Sequence, residues 1–406
     1  MSVISASAVL AVLEESKMRT IAEIGGLFVL LGVVARVANS LKFATGPLFL
    51  VVGLGFGVGG VAQFDFSEPF IALSAEVGAI LLLLFLGLEF SATTIVQEAR
   101  RHVPTAFVDV VLNAIPGAIV AVVLGWPSTL VLAMAGVTYV SSSGIATQVA
   151  REMGWKSRPE WKSLVSVLVL EDLVMAPYLP VLTALGAAIS VWSGLLGVAI
   201  GLGVVTLLLV VGARGVRVFS GLLSVDSGAA LLLTTLGLAL LAAGVAGMFS
   251  FSPVVAAFFV GLLITGDLAQ AIRNRMAPLR DVFAALFFVF FGLQTDPADL
   301  VPALPVVSVL VCATWFTKVA TVYYALGRGG HHGDDRMICA LRGGSLLSAR
   351  GEFSIAIGVL VVGFGGAPAN WQGVVATYVI VSALVGPVAA RTFDRGSVVV
   401  PRTSAL

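Results

Sequence analysis

The stretch SVLVLEDLVMAPYLPVL, residues 166–182, places two adjacent acidic residues in the middle of an apolar segment. Glu171 and Asp172 lie about 10 residues from either end of that segment, which puts them about 15 Å from each face of a bilayer if the segment is helical. A lone carboxylate at that depth costs at least a few kcal/mol, so the pair requires water, a cation, a proton or a basic partner. The stretch therefore predicts an ion-binding site inside a membrane.

The composition predicts a membrane protein. Of the 406 residues, 59% are hydrophobic and only 11% are charged, against roughly 25% charged residues in soluble proteins. The 45 glycines suit helices that pack closely in lipid. We expect an all-α polytopic protein of the plasma membrane that contacts lipid, binds no nucleic acid or cofactor, and is not an enzyme.

Thirteen apolar segments are long enough, or nearly long enough, to cross a bilayer, and the twelfth is long enough to be a broken helix. Their approximate limits are 20–38, 46–62, 70–90, 103–124, 128–150, 162–187, 190–213, 227–248, 251–266, 281–294, 304–326, 337–364 and 372–391.

The basic residues support this arrangement. Eighteen of the 23 lysines and arginines lie at the C-terminal ends of odd-numbered segments or in the loops that follow them, and the loops after even-numbered segments contain none. Cytoplasmic loops are enriched in lysine and arginine. The pattern predicts an N-terminus outside the cell and a cytoplasmic C-terminus. Three further basic residues lie deeper within apolar segments, namely Lys318, Arg342 and Arg350. Of these, Arg342 is nearer a segment end, where its head group is expected to reach the surface.

Small and hydroxyl-bearing residues interrupt two of the segments. Segment 5 contains SSSGIATQ (141–148), in which Ser141, Ser142, Ser143 and Thr147 are candidate ion-lining residues, and segment 12 contains RGGSLLSARGEF (342–353). Such residues at mid-membrane allow a helix to unwind and offer backbone groups to an ion. The breaks are seven segments apart, and an odd offset reverses the orientation of one copy. We predict inverted-topology repeats with two broken helices that cross at mid-membrane.

The chain resembles the monovalent cation:proton antiporter-2 family, which includes Kef-type potassium efflux transporters and several bacterial sodium/proton antiporters. The features that carry the resemblance follow the family's order along nearly the whole chain. They are the serines 141–143, the acidic pair Glu171 and Asp172, FFVFFGLQTD (287–296), Lys318, and RGEF (350–353).

The resemblance implies a sodium/proton antiporter fold and a homodimer that works by alternating access. The implied domains are dimerisation and gate helices in 1–100 and 215–300, core transport helices in 101–188 and 301–392, a linker helix in 189–214, and a short cytoplasmic tail in 393–406. Kef-type relatives often carry a cytoplasmic nucleotide-binding domain. None is expected here, which leaves a separate cytoplasmic regulatory subunit, a longer chain, or no regulation of that kind.

The acidic pair departs from the family's usual patterns. Electrogenic relatives have Asp-Asp at this place, electroneutral relatives Asn-Asp, and Kef-type members Gln-Asp, whereas this chain has Glu171 and Asp172. The transport stoichiometry therefore stays open, as does the choice between K⁺ and Na⁺.

The charged residues receive separate expected roles. Asp172 is the candidate ligand of a monovalent cation and carrier of the transported proton, with Glu171 as the second cation ligand. Lys318 is expected to form a salt bridge with Glu171, because an unpaired lysine at mid-membrane would lose its proton or find a carboxylate. Arg350 and Glu352 resemble a motif that holds the crossing together, and we expect Arg350 to pair with Asp109 in segment 4.

The sequence favours a secondary antiporter that exchanges K⁺ or Na⁺ for protons. A sodium-coupled symporter of an organic anion on a related fold is an alternative, although such sites need little pairing between acids and lysine inside the membrane. A regulated K⁺ efflux channel is another. An intramembrane aspartyl protease is rejected, because its two facing aspartates are not found.

Overall fold

The computed structural model is entirely helical over the part of the chain that it describes. Those residues are 6–41, 43, 45–57, 59–60, 68–89, 92–158, 160–186, 228–248, 253–330, 335–365 and 367–394. Fourteen α-helices are present in these ranges, together with short 3₁₀ turns at Trp155–Ser157 and Pro297–Asp299. The α-helices are α1 (Ala6–Leu41), α2 (Thr45–Phe56), α3 (Glu68–Glu89), α4 (Ala92–Val123), α5 (Ser128–Tyr139), α6 (Ser143–Glu152), α7 (Trp161–Gly186), α8 (Gly228–Met248), α9 (Pro253–Leu263), α10 (Gly266–Leu293), α11 (Leu300–Arg328), α12 (Asp335–Leu347), α13 (Glu352–Val362) and α14 (Trp371–Asp394).

The prediction of an all-helical membrane protein is confirmed. Within the described ranges, nine spans are long and apolar enough to cross a membrane, or ten if the bent pair α12 and α13 forms one span. Helices α2 and α9 are apolar but shorter. Twelve of the thirteen predicted segments overlap a helix, whereas segment 7, at 190–213, lies outside the described residues. The count of thirteen is therefore not established.

The chain divides into two compact units. The first comprises 1–96 and 179–302, and the second comprises 97–178 and 303–406. In the first unit, α3 packs along α9 and α10, and α2 packs along α10. Glycines make these contacts close: a Cβ on Gly87 would collide with the backbone of Phe258 and Gly261, and Gly53 faces Gly292 in the same way. Small residues allow such close backbone approach between membrane helices.

The second unit contains both predicted breaks. Helix α5 ends at Tyr139 and α6 begins at Ser143, while α12 ends at Leu347 and α13 begins at Glu352 with a bend of 40°. Helix α13 packs against α5, and α12 packs against α6 and α14. Each half-helix of one broken segment thus lies beside a half-helix of the other. The C-terminal ends of α5 and α12 meet at the crossing, as do the N-terminal ends of α6 and α13.

Candidate ion-binding site

An ion cluster sealed from solvent lies beside the crossing in the second unit. The ammonium nitrogen of Lys318 on α11 lies 2.8 Å from Oε1 of Glu171 on α7 and 2.9 Å from Oδ1 of Asp109 on α4. All three side chains have no exposed surface. Two carboxylates thus share one ammonium group in a dry environment, where a charge without a partner is strongly unfavourable. The expected pair between Glu171 and Lys318 is present.

Glu171 also ties the cluster to the first break. Its Oε2 accepts a hydrogen bond from the backbone N–H of Ser141. The hydroxyl of Ser141 lies 3.0 Å from Oε1 of Glu171 and 2.6 Å from the carbonyl oxygen of Leu347. Glu171 therefore stabilises a backbone N–H that unwinding of the helix leaves without an intrahelical partner.

Arg350 holds the ends of two half-helices. Its Nη2 donates to the carbonyl oxygen of Thr138 over 2.7 Å, and its Nη1 donates to that of Leu347 over 2.9 Å. These carbonyls belong to the last turns of α5 and α12, where the helix dipole concentrates negative charge. The guanidinium therefore neutralises both C-terminal ends. Its Nε donates to the hydroxyl of Tyr378 over 3.2 Å, which fixes the side chain from α14.

The expected ion pair between Arg350 and Asp109 is wrong. Asp109 pairs with Lys318 instead, and Arg350 uses its donors on backbone carbonyls and Tyr378. Glu352 likewise forms no ion pair among the residues described; its Oε2 accepts a hydrogen bond from the hydroxyl of Ser142 over 3.2 Å. The physical reason is that two breaks expose several carbonyls, and the arginine satisfies these before any distant carboxylate.

Asp172 and the remaining residues of the first break lie on α7 and α6, the helices next to this cluster. Asp172, next to Glu171 on α7, is 5% exposed. Ser143 and Thr147 are half-buried on α6. The hydroxyl of Thr147 donates to the carbonyl of Ser143 over 2.8 Å. Of the expected site residues, the contacts therefore join Ser141 to Glu171 and Ser142 to Glu352, whereas Thr147 bonds within its own helix.

Three neutral residues of the cluster do not stand out in the sequence. Asn113 donates to Oδ1 of Asp109 over 2.8 Å and to the hydroxyl of Thr321 over 3.0 Å, and it accepts from Thr317 over 2.8 Å. One signal was available: Asn113 follows Asp109 by one helical turn, and Thr317 and Thr321 lie on the same stretch of α11 as Lys318.

Arg342, on α12, belongs to a second ion cluster, whose acidic members lie at the end of α14 and just before α7. It bonds to Glu160, and its Nη1 lies 3.0 Å from Oδ1 of Asp394. Arg158 also contacts Asp394, at 2.8 Å, and the indole N–H of Trp155 donates to it over 3.2 Å. Arg342 is buried, so the expectation that its head group reaches solvent is wrong. Two carboxylates hold it inside the protein.

Residues 26–393 match the transmembrane sodium/hydrogen exchanger family. The chain belongs to that family. The resemblance to cation:proton antiporters is thereby confirmed for nearly the whole chain.

Similar proteins agree with this assignment. The chain is 27% identical over 382 residues to the K⁺/H⁺ antiporter subunit KhtU of Bacillus subtilis, covering 92% of this chain and 93% of that protein. It is 27% identical over 369 residues to the ammonium/H⁺ antiporter subunit AmhT of Alkalihalophilus pseudofirmus, covering 89% and 90%. The fold is similar to that of the sodium proton antiporter MjNhaP1 of Methanocaldococcus jannaschii, with a TM-score of 0.66, 18% identity, and coverage of 94% of this chain and 99% of that one.

Proposed function

We propose that this protein exchanges a monovalent cation, K⁺ or Na⁺, for protons by alternating access. The observation that carries the proposal is the buried Lys318–Glu171 pair next to Asp172 and to the crossing of two broken helices. Carboxylate and hydroxyl oxygens suit a hard monovalent cation, and a carboxylate can bind either a cation or a proton. Family membership favours exchange over a symporter or a channel.

The proposed reaction is a competition at the acidic pair. Asp172 binds either the proton or the cation, and an arriving cation also draws on Glu171, whose Oε1 is otherwise held by Lys318. Ser141, Ser142 and Ser143 offer further oxygens at the break. Neither substrate can cross without occupying the pair, and this is what couples the two flows.

The two units suggest a division of labour. We assign the transport core to the unit that holds the breaks and the ion cluster, and dimerisation and gating to the other, with residues 189–214 as a linker. A homodimer, an external N-terminus and a cytoplasmic C-terminus are part of this proposal. A separate regulatory subunit is included because two of the relatives, KhtU and AmhT, carry the word subunit in their names.

The test is an exchange assay with the purified protein in liposomes. An acid-loaded vesicle receives K⁺, Na⁺, Rb⁺ or Li⁺ outside, an internal pH dye reports proton release, and a radioactive tracer reports cation uptake. Exchange with at least one of these cations, in vesicles without a membrane potential, is expected. Cation uptake without proton movement would support a channel, and uptake that requires an organic anion would support a symporter; either result would contradict the proposal.

A further inference from the structure

Lys318 is shared between carboxylates on two different helices. Its Nζ lies 2.8 Å from Glu171 on α7 and 2.9 Å from Asp109 on α4, and solvent reaches none of the three. Competition between a cation and Lys318 at Glu171 needs only one carboxylate partner for the lysine. The proposed competition gives the second carboxylate, that of Asp109, no role.

The two sides of Lys318 are anchored differently. Glu171 bonds to the backbone N–H and hydroxyl of Ser141, so it belongs to the break. Asp109 instead belongs with the helix that carries Lys318, because Asn113 donates to Oδ1 of Asp109 and also accepts a hydrogen bond from Thr317. Lys318 is therefore tied to α4 by its ion pair with Asp109 and by the neighbouring bonds of Asn113, whereas its tie to α7 is the ion pair with Glu171.

The second carboxylate oxygen of Asp109, Oδ2, does not contact Lys318 in the way that Oδ1 does. Oδ2 is buried without a hydrogen bond of normal geometry among the described residues, and the hydroxyl of Tyr139, which is also buried without such a bond, is the neighbouring donor. An ammonium group has three N–H donors, and one that leaves Glu171 inside the protein needs another acceptor at once. Oδ2 of Asp109 belongs to a carboxylate that Lys318 already contacts through Oδ1, so the same side chain offers a second oxygen to the ammonium group.

We propose that Asp109 is a positioning residue for exchange: it takes over Lys318 when a cation binds Glu171. The lysine stays charged and paired throughout, and Glu171 becomes available to the cation. This inference rests on the proposed function. Without the charge of Asp109, Lys318 would be left unpaired whenever it released Glu171, so it would hold Glu171 more tightly and the cation would compete less well.

The experiment compares cation titrations of proton release for the wild type, Asp109→Asn and Asp109→Glu in liposomes, using a cation that the wild type exchanges. Asn keeps the size of Asp and an acceptor for Asn113 but removes the charge. We expect Asp109→Asn to weaken apparent cation affinity by about tenfold or more and Asp109→Glu to recover most of it. Thr377→Val is the control, because it removes a buried hydroxyl whose hydrogen bond, among the described residues, lies within α14, and it should leave the affinity within about twofold of the wild type.

A second comparison keeps the inference testable if Asp109→Asn folds poorly. Asp109→Asn should weaken apparent cation affinity much less in a Lys318→Gln background than in the wild type, because its proposed effect passes mainly through the lysine. An equal or larger loss in that background would overturn the inference, as would wild-type affinity in Asp109→Asn. An inactive wild type would instead contradict the proposed function itself, so the two failures are distinguishable.

Discussion

Ser142 and Ala349 join the two broken helices directly, because the backbone N–H of Ser142 donates to the carbonyl oxygen of Ala349 over 2.8 Å. The side chain of Ser142 also packs onto the space above Gly351, where a Cβ would come within 2.8 Å of the Cβ of Ser142. Backbone groups of both breaks are thus satisfied by each other, as irregular backbone at membrane depth requires.

We predict that Gly351→Ala damages the crossing, whereas Gly144→Ala does not. The added methyl at 351 would displace Ser142 and cost about 1–3 kcal/mol. At Gly144 the nearest atoms to a new Cβ are Ser142 Oγ at 3.8 Å and Glu352 Oε1 at 3.9 Å, which are ordinary contacts. Thermal unfolding in detergent and exchange in liposomes measure the difference. An equal loss of stability and exchange in both variants would show that the contact between Gly351 and Ser142 has no special role.

We predict that Asp172→Asn abolishes exchange and leaves the fold intact, because Asn can neither neutralise a cation nor carry a proton. Asp281→Asn is the matched control: Asp281 is 64% exposed and pairs only with its neighbour Arg280 among the contacts found, and such surface pairs contribute about 0–1 kcal/mol. Both variants should elute as the wild type does on size exclusion. Near-normal cation-driven proton release from Asp172→Asn would remove it from the transport reaction.

We predict an asymmetry between Glu171→Gln and Lys318→Gln. Removing Glu171 leaves Lys318 paired with Asp109. Removing Lys318 leaves the buried carboxylates of Glu171 and Asp109 without the ammonium group that they share, a loss of about 3–5 kcal/mol. Lys318→Gln should therefore have the lower melting temperature, and adding Glu171→Gln to it should recover part of the loss. The measurement is thermal unfolding of the three variants. A double variant no more stable than Lys318→Gln would show that the two residues are not coupled.

The acidic pair and Lys318 could be found from the sequence because charges inside apolar segments are conspicuous, and each requires a partner. The breaks could be found because Ser and Gly clusters recur seven segments apart. The partner of Asp109 could not be found. Whether Asp109 faces Lys318 or Arg350 depends on how α4 is rotated, and the preferred partners of Arg350 are backbone carbonyls, which every residue possesses. Asn113 is neutral, and the one sequence signal for it is its position one helical turn after Asp109, whose side chain it contacts.

We predict that Arg342→Met destabilises the protein by about 1.5–3 kcal/mol, because it removes charge-assisted hydrogen bonds to Glu160 and Asp394, although Arg158 still contacts Asp394. Arg280→Met is the comparison, since Arg280 forms a more exposed pair with Asp281 and lies 4.7 Å from the ring centroid of Phe85; it should cost about 1 kcal/mol. Thermal unfolding at low and high salt separates the two cases, because screening weakens exposed pairs far more than buried ones. A similar small effect from both substitutions would mean that Arg342 reaches water in solution.

The last prediction concerns competition between the two substrates. If Asp172 carries either a cation or a proton, apparent cation affinity should fall as pH falls, approaching about tenfold per pH unit when the site is mostly protonated and one proton competes. The maximal rate should change little with pH, because saturating cation displaces the proton. The measurement is cation titration of proton release at several pH values on both sides of neutrality, without a membrane potential. Asp281→Asn should follow the wild-type curve throughout. A constant apparent affinity with a changing maximal rate would place the proton at a separate regulatory group, and Asp172 would then not be the shared carrier.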